Sequence, residues 1–277
     1  MAGMRDDNQR EGIMQTVVEQ PTDLLEKVSA SRLNTFHQCR LKFYFRYVLQ
    51  LQKPQTAALL VGSVVHSVLQ FWSMARWKNI TVGPEQLEEH FHQKWTDEQE
   101  GQSVQWAQGE EEEQKRAAWP LLQTYFANTP IPLNEKPEAV EVTVEADLSK
   151  HGLPTLVGII DLVRNGGRIV EFKTTGQTPN AEKAEHIHEL QTSCYSVLYR
   201  HTTGKEETSI ELHHLVKLKT PKLVVTPLAP MTEAQQTRLF KVMESYVQGV
   251  ERQDWVPSPS PMACACCEYF NECRRWS

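Results

Sequence analysis

The stretch that decides the fold is TLVGIIDLVRNGGRIVEFKTT, residues 155–175. Two runs rich in β-branched residues flank Asn-Gly-Gly at 165–167, and this pattern predicts an antiparallel β-hairpin. Glu171 and Lys173 lie two residues apart on the second strand, so their side chains share one face of the sheet. The hairpin therefore presents a carboxylate and an amine side by side.

The length of the hairpin loop decides where Asp161 lies. A three-residue loop pairs Arg164 with Arg168 and puts Asp161 opposite Glu171, whereas a two-residue loop puts the carboxylates on opposite faces. Carboxylates directly opposite each other repel, and a hard divalent cation such as Mg²⁺ offsets that repulsion. On these residues alone, the more common explanation is a surface hairpin with solvated charges.

Periodicity along the rest of the chain predicts a single α/β domain with a central mixed sheet flanked by helices. Valines alternate with polar residues at 140–145, as in a half-buried strand. Residues 1–24 are polar and aperiodic, which predicts a flexible tail. The predicted helices are 31–53 (with Ser31 as N-cap), 60–78, 84–127, 181–201 and 232–252, and the further predicted strands are 208–219 and 222–228.

Charge is unevenly distributed along the chain. The net charge of −6 argues against a polycation that coats nucleic acid. Residues 28–84 nevertheless contain seven bases and no acid, whereas residues 85–113 contain ten acids and one base. A basic patch can therefore form on an acidic protein. The chain has no run of 18 apolar residues and no apolar segment near its N-terminus, so we expect a cytoplasmic protein without membrane contact.

Cysteine placement indicates a metal site. Four of the six cysteines fall within residues 264–273, after a Pro/Ser-rich linker. Clustered thiols in a chain without a disulfide framework are typical of metal binding in a reducing compartment. Thiolate ligands suit either Zn²⁺ or an iron–sulfur cluster.

Five motifs in this order resemble the RecB-type nuclease family of the PD-(D/E)XK superfamily, in its iron–sulfur branch. The resemblance implies a restriction-endonuclease-like domain over 25–277, with a helical insertion at 84–130 and a Cys-rich segment at 257–277. The motifs are Ser31-x-Leu33-x-x-Phe36-x-x-Cys39, Gly62-Ser-Val-Val-His66, Asp161 with Glu171-x-Lys173, Gln191-Thr-Ser-Cys-Tyr195, and Cys264-x₂-Cys267-x₅-Cys273.

The resemblance also implies roles for individual residues. Lys173 would be the catalytic lysine, and Gln191 and Tyr195 would contact the DNA strand or orient the site. The implied ligands of Mg²⁺ or Mn²⁺ are His66, Asp161, Glu171 and the carbonyl of Phe172. The implied ligands of a [4Fe–4S] cluster, with Zn²⁺ as the alternative, are Cys39, Cys264, Cys267 and Cys273. Cys266 leaves the ligand assignment open, because it lies inside the triplet.

The expected function is a metal-dependent deoxyribonuclease, acting as an exonuclease on single-stranded DNA ends in DNA repair, recombination or CRISPR adaptation. The sequence contains no Gly-x₄-Gly-Lys-Ser/Thr motif, so a helicase motor or CRISPR-associated partner would be a separate protein. Two alternatives remain open. One is a catalytically silent DNA-binding subunit with the same fold, and the other is a zinc-stabilised interaction module.

Overall fold

The computed structural model describes residues 23–101, 104 and 106–276. Six strands form one sheet: β1 (Lys27–Ser29), β2 (Ala139–Ala146), β3 (Thr155–Arg164), β4 (Arg168–Thr175), β5 (Ser209–Val216) and β6 (Lys222–Leu228). The α-helices of the described residues are α1 (Asp23–Glu26), α2 (Ala30–Gln38), α3 (Arg40–Phe43), α4 (Ala57–Trp77), α5 (Pro84–Gly101), α6 (Glu110–Asn128), α7 (Ala181–Thr203), α8 (Glu233–Glu251), α9 (Pro261–Ala265) and α10 (Phe270–Arg275).

The sheet is mixed, as the sequence predicts. Its strand order is β1-β3-β4-β5-β6. Strands β1 and β4 pair with the two ends of one edge of β3, and β2 pairs with the opposite edge. The β2–β3, β3–β4 and β5–β6 pairs are antiparallel, whereas β1–β3 and β4–β5 are parallel. Helix α7 provides the crossover between the parallel strands β4 and β5.

Each face of the sheet is covered by its own layer of helices. Helices α2, α7 and α8 pack on one face, where Phe36 and Tyr246 are fully buried. Helices α4, α5 and α6 pack on the other face, where Trp95 and Tyr125 are among the largest buried side chains. The result is the three-layer arrangement expected of a sheet with two apolar faces.

Helix α4 is the most apolar helix of the described residues. By length and composition alone, its 21 residues would be enough to cross a membrane. In this fold it packs against α5, α6 and three strands of the sheet, and Val64, Val68 and Leu69 are completely buried. A core helix has this composition because it is covered on most of its surface.

The helix predicted at 31–53 is divided into three shorter segments, α2, α3 and a π-helical turn. Helix α2 starts after Ser29, whose side chain accepts from the Arg32 N–H, so the predicted N-cap Ser31 is wrong. Cys39 ends α2 in an extended conformation, with φ −163° and ψ 111°. After α3, the chain continues as a π-helical turn at Tyr44–Val48. The extended backbone at Cys39 points this thiol toward the C-terminal segment, which no periodicity reveals.

Two further predictions concern the N-terminal region. The three-residue strand β1 was not predicted, because so short a strand carries no alternating pattern. Residues 1–22 of the predicted tail lie outside the described residues. The end of that predicted tail, Asp23 and Leu24, begins α1, and Leu24 is buried.

Gly249 of α8 tests how tightly the α2–α8 layer is packed. A Cβ at this position would overlap the ring of Phe36, which packs edge-on against Phe43 and Tyr246. Gly249→Ala should therefore lower the free energy of unfolding by about 1–3 kcal/mol. Gly101→Ala, where a Cβ meets nothing within 4 Å, is the control and should change stability little. Thermal melting of both variants measures the difference.

Candidate active site

The β3–β4 hairpin opens at the position of Asp161. The paired positions are Arg164 with Arg168, Val163 with Ile169 and Leu162 with Val170, which is the register of a three-residue loop. Beyond them the two strands diverge, and β1 takes over the same edge of β3 at residues 155–157. The Phe172 N–H bonds the Oδ2 of Asp161 at 2.9 Å. Where the strands separate, the Asp161 side chain thus accepts the hydrogen bond that a backbone carbonyl of β3 would accept in a continuous ladder.

Glu171 and Lys173 form a compact network with helix α7. The Nζ of Lys173 lies 2.7 Å from Oε1 of Glu171 and donates to Oε1 of Gln191 at 2.6 Å. The Nε2 of Gln191 donates to the same Oε1 of Glu171 at 2.7 Å and to the hydroxyl of Tyr195 at 2.8 Å. Gln191 and Tyr195 are one turn apart on α7, so they share a face. Helix α7 therefore holds both charged groups in place.

His66 reaches the same point from the opposite layer. It projects from α4, and its Nδ1 lies 3.5 Å from Oδ2 of Asp161. Its ring packs edge-on against Phe172. Gly62, one turn earlier on α4, leaves room for the end of β4, because a Cβ there would touch the Thr174 hydroxyl. The structure thus brings His66, Asp161, Glu171, Lys173, Gln191 and Tyr195 together, although their catalytic roles remain predictions.

Carboxylates outnumber cationic side chains in the site, since Asp161 and Glu171 face the single ammonium of Lys173. Burial raises the pKa of Glu171, and the charge of Asp161 raises it further against the effect of Lys173. Burial lowers the pKa of His66, but the hydrogen bond and charge of Asp161 outweigh it, so the net pKa is raised. Oε2 of Glu171 is buried and has no hydrogen-bond partner. A divalent cation would satisfy this oxygen and relieve the repulsion between the two carboxylates.

The donor set fits a hard, partly hydrated cation. No three His, Cys, Asp or Glu side chains within the described ranges converge closely enough to enclose one ion. Mg²⁺ needs no such cage, because it keeps several waters and takes one or two carboxylates. The N–H and C=O of a strand residue point to the same edge, so the Phe172 carbonyl faces the gap that its N–H bridges to Asp161.

Glu141 is a residue of this site that the sequence pattern did not single out. It lies on β2, is half-buried, and adopts a left-handed conformation with φ 48°. Burial raises its pKa, and the charge of Asp161 raises it further. The alternating valines marked Glu141 as a solvent-facing position. Only the backbone conformation distinguishes it, and no sequence signal reports that conformation for a glutamate.

Two histidines beside Lys173 were also missed. His214 occupies the position on β5 that pairs with Lys173, and its ring lies 5.5 Å from that of His188 on α7. Burial, His188 and Lys173 lower the pKa of His214 to about 4. Burial and Lys173 also lower the pKa of His188. Both rings are therefore neutral at pH 7, and they add no charge beside the lysine.

A large cleft leads to the site. Its volume is about 1160 Å³, and both His66 and Glu141 line it. The basic residues Lys42, Arg46 and Lys53 line the far end, as expected of the basic stretch 28–84. Two of them are neutralised by the C-terminal segment: Lys42 pairs with Glu268 at 3.0 Å and Lys53 with Glu272 at 2.5 Å. Arg46 forms no ion pair within the described part of the chain.

Four cysteines meet where the C-terminal segment packs on the N-terminal helices. Cys39, Cys264, Cys267 and Cys273 line one small apolar pocket of about 50 Å³. Burial raises the pKa of Cys273, and the other three thiols raise it further. Backbone N–H groups of Ser258 and Ser260 donate to the sulfurs of Cys39 and Cys264. Amide bonds to sulfur are typical of thiolate–metal sites.

The two remaining cysteines are placed differently. Cys266 is exposed and does not line the pocket. Cys194 is completely buried within α7, and burial raises its pKa to about 12.

Comparison with known proteins identifies the class. The family model of the PD-(D/E)XK nuclease superfamily matches residues 27–274. The chain belongs to this superfamily.

Solved structures share the fold. A protein from Eubacterium rectale, described as a "Putative exonuclease", aligns with a TM-score of 0.61 and 14% identity, over 92% of this chain and 90% of its own. SSO0001 aligns over 86% of this chain and 92% of its own, at 14% identity and a TM-score of 0.35, too low to bear on the argument. No curated protein sequence matches the chain.

Asp161→Asn tests the repulsion within the site. A carboxyl whose pKa is raised on folding costs stability above its unfolded pKa, and this cost vanishes at acidic pH. Without the Asp161 charge, we expect the metal-free protein to gain about 1 kcal/mol at pH 7.5, or roughly 2–4 °C in Tm. The gain should shrink as the pH falls through the folded pKa of Glu171. Melting in chelator measures it, with the exposed Asp97→Asn as control; equal shifts in both variants would contradict the prediction.

Proposed function

We propose that the chain is a metal-dependent DNA nuclease that hydrolyses phosphodiester bonds. What carries the proposal is Glu171: a buried carboxylate with an unpartnered oxygen, held beside Asp161 at the mouth of a diverging hairpin. We assign Mg²⁺ or Mn²⁺ to Asp161, Glu171, the Phe172 carbonyl and His66. Imidazole among the donors favours Mn²⁺ relative to an all-oxygen site.

The other residues of the site would have separate roles in hydrolysis. A bound cation would supply a Lewis acid that activates water and offsets charge on the phosphate. Lys173 would orient the attacking water and stabilise the negative charge that develops on the phosphate. Gln191 keeps the lysine in position by accepting from its ammonium group, and Tyr195 fixes Gln191 in turn. His66 would close the α4 side of the site.

We propose single-stranded DNA ends as the substrate. The cleft that leads to His66 is lined by Arg46, which is exposed, and by the partly exposed ring of Tyr47. Aromatic stacking and a positively charged arginine suit single-stranded DNA, whose bases are accessible. The chain would act in DNA repair, recombination or CRISPR adaptation with a separate helicase or CRISPR-associated protein, since its sequence has no P-loop.

Lys173→Ala tests the catalytic assignment. Loss of the ammonium group should reduce cleavage of end-labelled single-stranded DNA by about 10²–10⁴-fold in Mg²⁺ or Mn²⁺. Lys222→Ala, at an exposed position at the start of β6, is the matched control and should retain full activity. Unchanged cleavage by a folded Lys173→Ala protein would refute the assignment. A wild-type protein that binds DNA without cleaving it in either metal would favour the catalytically silent subunit.

We further propose a structural [4Fe–4S] cluster on Cys39, Cys264, Cys267 and Cys273. Hydrolysis needs no electrons, so the cluster would act as a clasp between the two ends of the domain. The protein contacts around it already join these ends: Leu41 N–H donates to Val256 O at 3.1 Å, and the Tyr269 hydroxyl donates to Leu51 O at 2.9 Å. Ligand binding would then contribute directly to folding.

Cys273→Ser tests the clasp. We expect loss of the bound metal and a melting temperature lower by several degrees, because one thiolate ligand is removed. Cys266→Ser, which changes an exposed thiol outside the pocket, should leave both unchanged. Iron, acid-labile sulfide and zinc are measured on protein purified without oxygen. Zinc without acid-labile sulfide would show that the cysteines bind Zn²⁺ and not a cluster. An unchanged melting temperature would show that the metal does not hold the two ends of the domain together.

A further inference from the structure

Strand β5 carries an unusual set of buried polar side chains. All but its first residue are buried, yet Glu211, His213 and His214 are among them. Polar groups in a strand that is covered on both faces need partners within the protein. Glu211 and His213 lie on the side of the α4–α6 layer, where Tyr125 of α6 reaches them. The hydrolysis proposed above uses none of these groups.

A chain of hydrogen bonds joins a buried tyrosine, histidine, glutamate and arginine. The hydroxyl of Tyr125 lies 3.2 Å from Nδ1 of His213, and Nε2 of His213 lies 3.0 Å from Oε2 of Glu211. Nη1 of Arg164, on β3, donates to both oxygens of Glu211 at 3.0 and 2.9 Å. Glu135 accepts two further bonds of 2.8 Å from the same guanidinium. The chain of bonds is therefore continuous from the β3–β4 turn to α6.

Burial determines where the protons of this chain lie. Burial lowers the pKa of His213 against the effect of Glu211, so the imidazole is neutral at pH 7. Burial raises the pKa of Glu211, but the hydrogen bonds of His213 and Arg164 outweigh it, so the carboxyl group is charged. His213 therefore donates from Nε2 to Glu211 and accepts at Nδ1 from the Tyr125 hydroxyl, whose pKa is raised by burial. A single tautomer of His213 satisfies both partners.

The rings of this chain enclose Phe172 of the candidate active site. His213 pairs with Phe172 in the β4–β5 ladder, and their ring centroids are 5.8 Å apart. Tyr125 packs edge-on against Phe172 at 5.6 Å, and His66 does so at 6.1 Å. The Phe172 side chain is only 2% exposed, while its backbone N–H bonds Asp161. Because β3 and β4 have already diverged here, the packing of this ring helps to fix the backbone beside it.

Stability alone does not account for this chain of bonds. The desolvation of buried charges offsets much of their attraction, and apolar side chains of similar volume are often as stabilising. A fully satisfied buried network instead gives its side chains one defined orientation. Here it orients His213, which contacts the residue whose N–H anchors Asp161 and whose carbonyl is assigned to the cation.

We propose that Tyr125 and His213 are positioning residues of the nuclease site, which act through Phe172. Their hydrogen bond fixes the two rings, and the rings fix Phe172. Phe172 in turn holds Asp161 and sets the direction of the carbonyl assigned to the cation. This inference rests on the proposed function, and it adds two residues that touch neither cation nor DNA.

Tyr125→Phe tests the proposal against a matched control. The change keeps the ring against Phe172 but removes the hydroxyl, so Nδ1 of His213 loses its donor. Tyr246→Phe removes an equally buried hydroxyl, which donates to Leu24 O at 2.8 Å in the other helix layer. Both variants should lose similar thermal stability. Tyr125→Phe alone should bind Mn²⁺ about tenfold more weakly, by electron paramagnetic resonance of the free ion, because it disturbs groups behind a metal ligand.

Cleavage of single-stranded DNA gives a further comparison of the two variants. At low Mn²⁺ concentration, Tyr125→Phe should cleave about tenfold more slowly than wild type, and excess Mn²⁺ should restore most of the rate. A general loss of folded protein would not be restored in this way. Tyr246→Phe should cleave as wild type does at both concentrations.

A third measurement needs neither metal nor activity. Selective ¹⁵N labelling of the nine phenylalanines includes the Phe172 amide, whose exchange with solvent can be followed in the metal-free protein. Exchange should be faster in Tyr125→Phe, because the bond to Asp161 opens more often, and unchanged in Tyr246→Phe. Equal exchange and equal Mn²⁺ affinity in the two variants would overturn the positioning role and leave the nuclease assignment intact.

Failure of the nuclease assignment gives a different result. The wild-type protein would then bind no Mn²⁺ at Asp161 and cleave no DNA in either metal. That result would overturn the function of the site, whereas the exchange of the Phe172 amide would still decide whether Tyr125 fixes Phe172.

Discussion

The hydrogen bond between the Phe172 N–H and the Asp161 side chain is the interaction on which the site depends. Strands β3 and β4 pair only near their turn and then separate, so the backbone groups at their diverging ends need other partners. Asp161 supplies one of them and is itself fixed by it. The gap that results opens the sheet between β3 and β4, with both carboxylates beside it.

Burial on both faces of the sheet strengthens the electrostatic interactions beside this gap. Helix α7 covers Glu171, and α4 brings His66 over Phe172. In this low-polarity setting the charges of Asp161 and Glu171 interact strongly, and a raised pKa of Glu171 is the consequence. Gln191 and Lys173 satisfy one oxygen of Glu171 and leave the other unpartnered. The fold thus holds Asp161 and Glu171 in a repulsive arrangement that a bound cation would stabilise.

The two ends of the chain complete the domain. Cys39 interrupts the N-terminal helices, and the segment after Pro257 folds back onto them with three of its four cysteines in the shared pocket. Two of the seven basic residues of the N-terminal stretch are neutralised by this contact, since Lys42 and Lys53 pair with Glu268 and Glu272. The basic stretch therefore helps to attach the C-terminal segment, and Arg46 lines the cleft.

The sequence by itself determined the fold class and the hairpin, because strand alternation and turn residues are local properties. It left the loop length open, and the structure decided that Asp161 and Glu171 lie on either side of the gap. Motif order also singled out His66, Gln191 and Tyr195, which lie on two different helices. Tertiary structure alone decided the break at Cys39, the short strand β1 and the left-handed Glu141, since each depends on a partner distant in sequence. The tertiary structure also shows that four cysteines line the pocket and that Cys266 does not. The spacing of the cysteines in the sequence does not determine which thiols face inward.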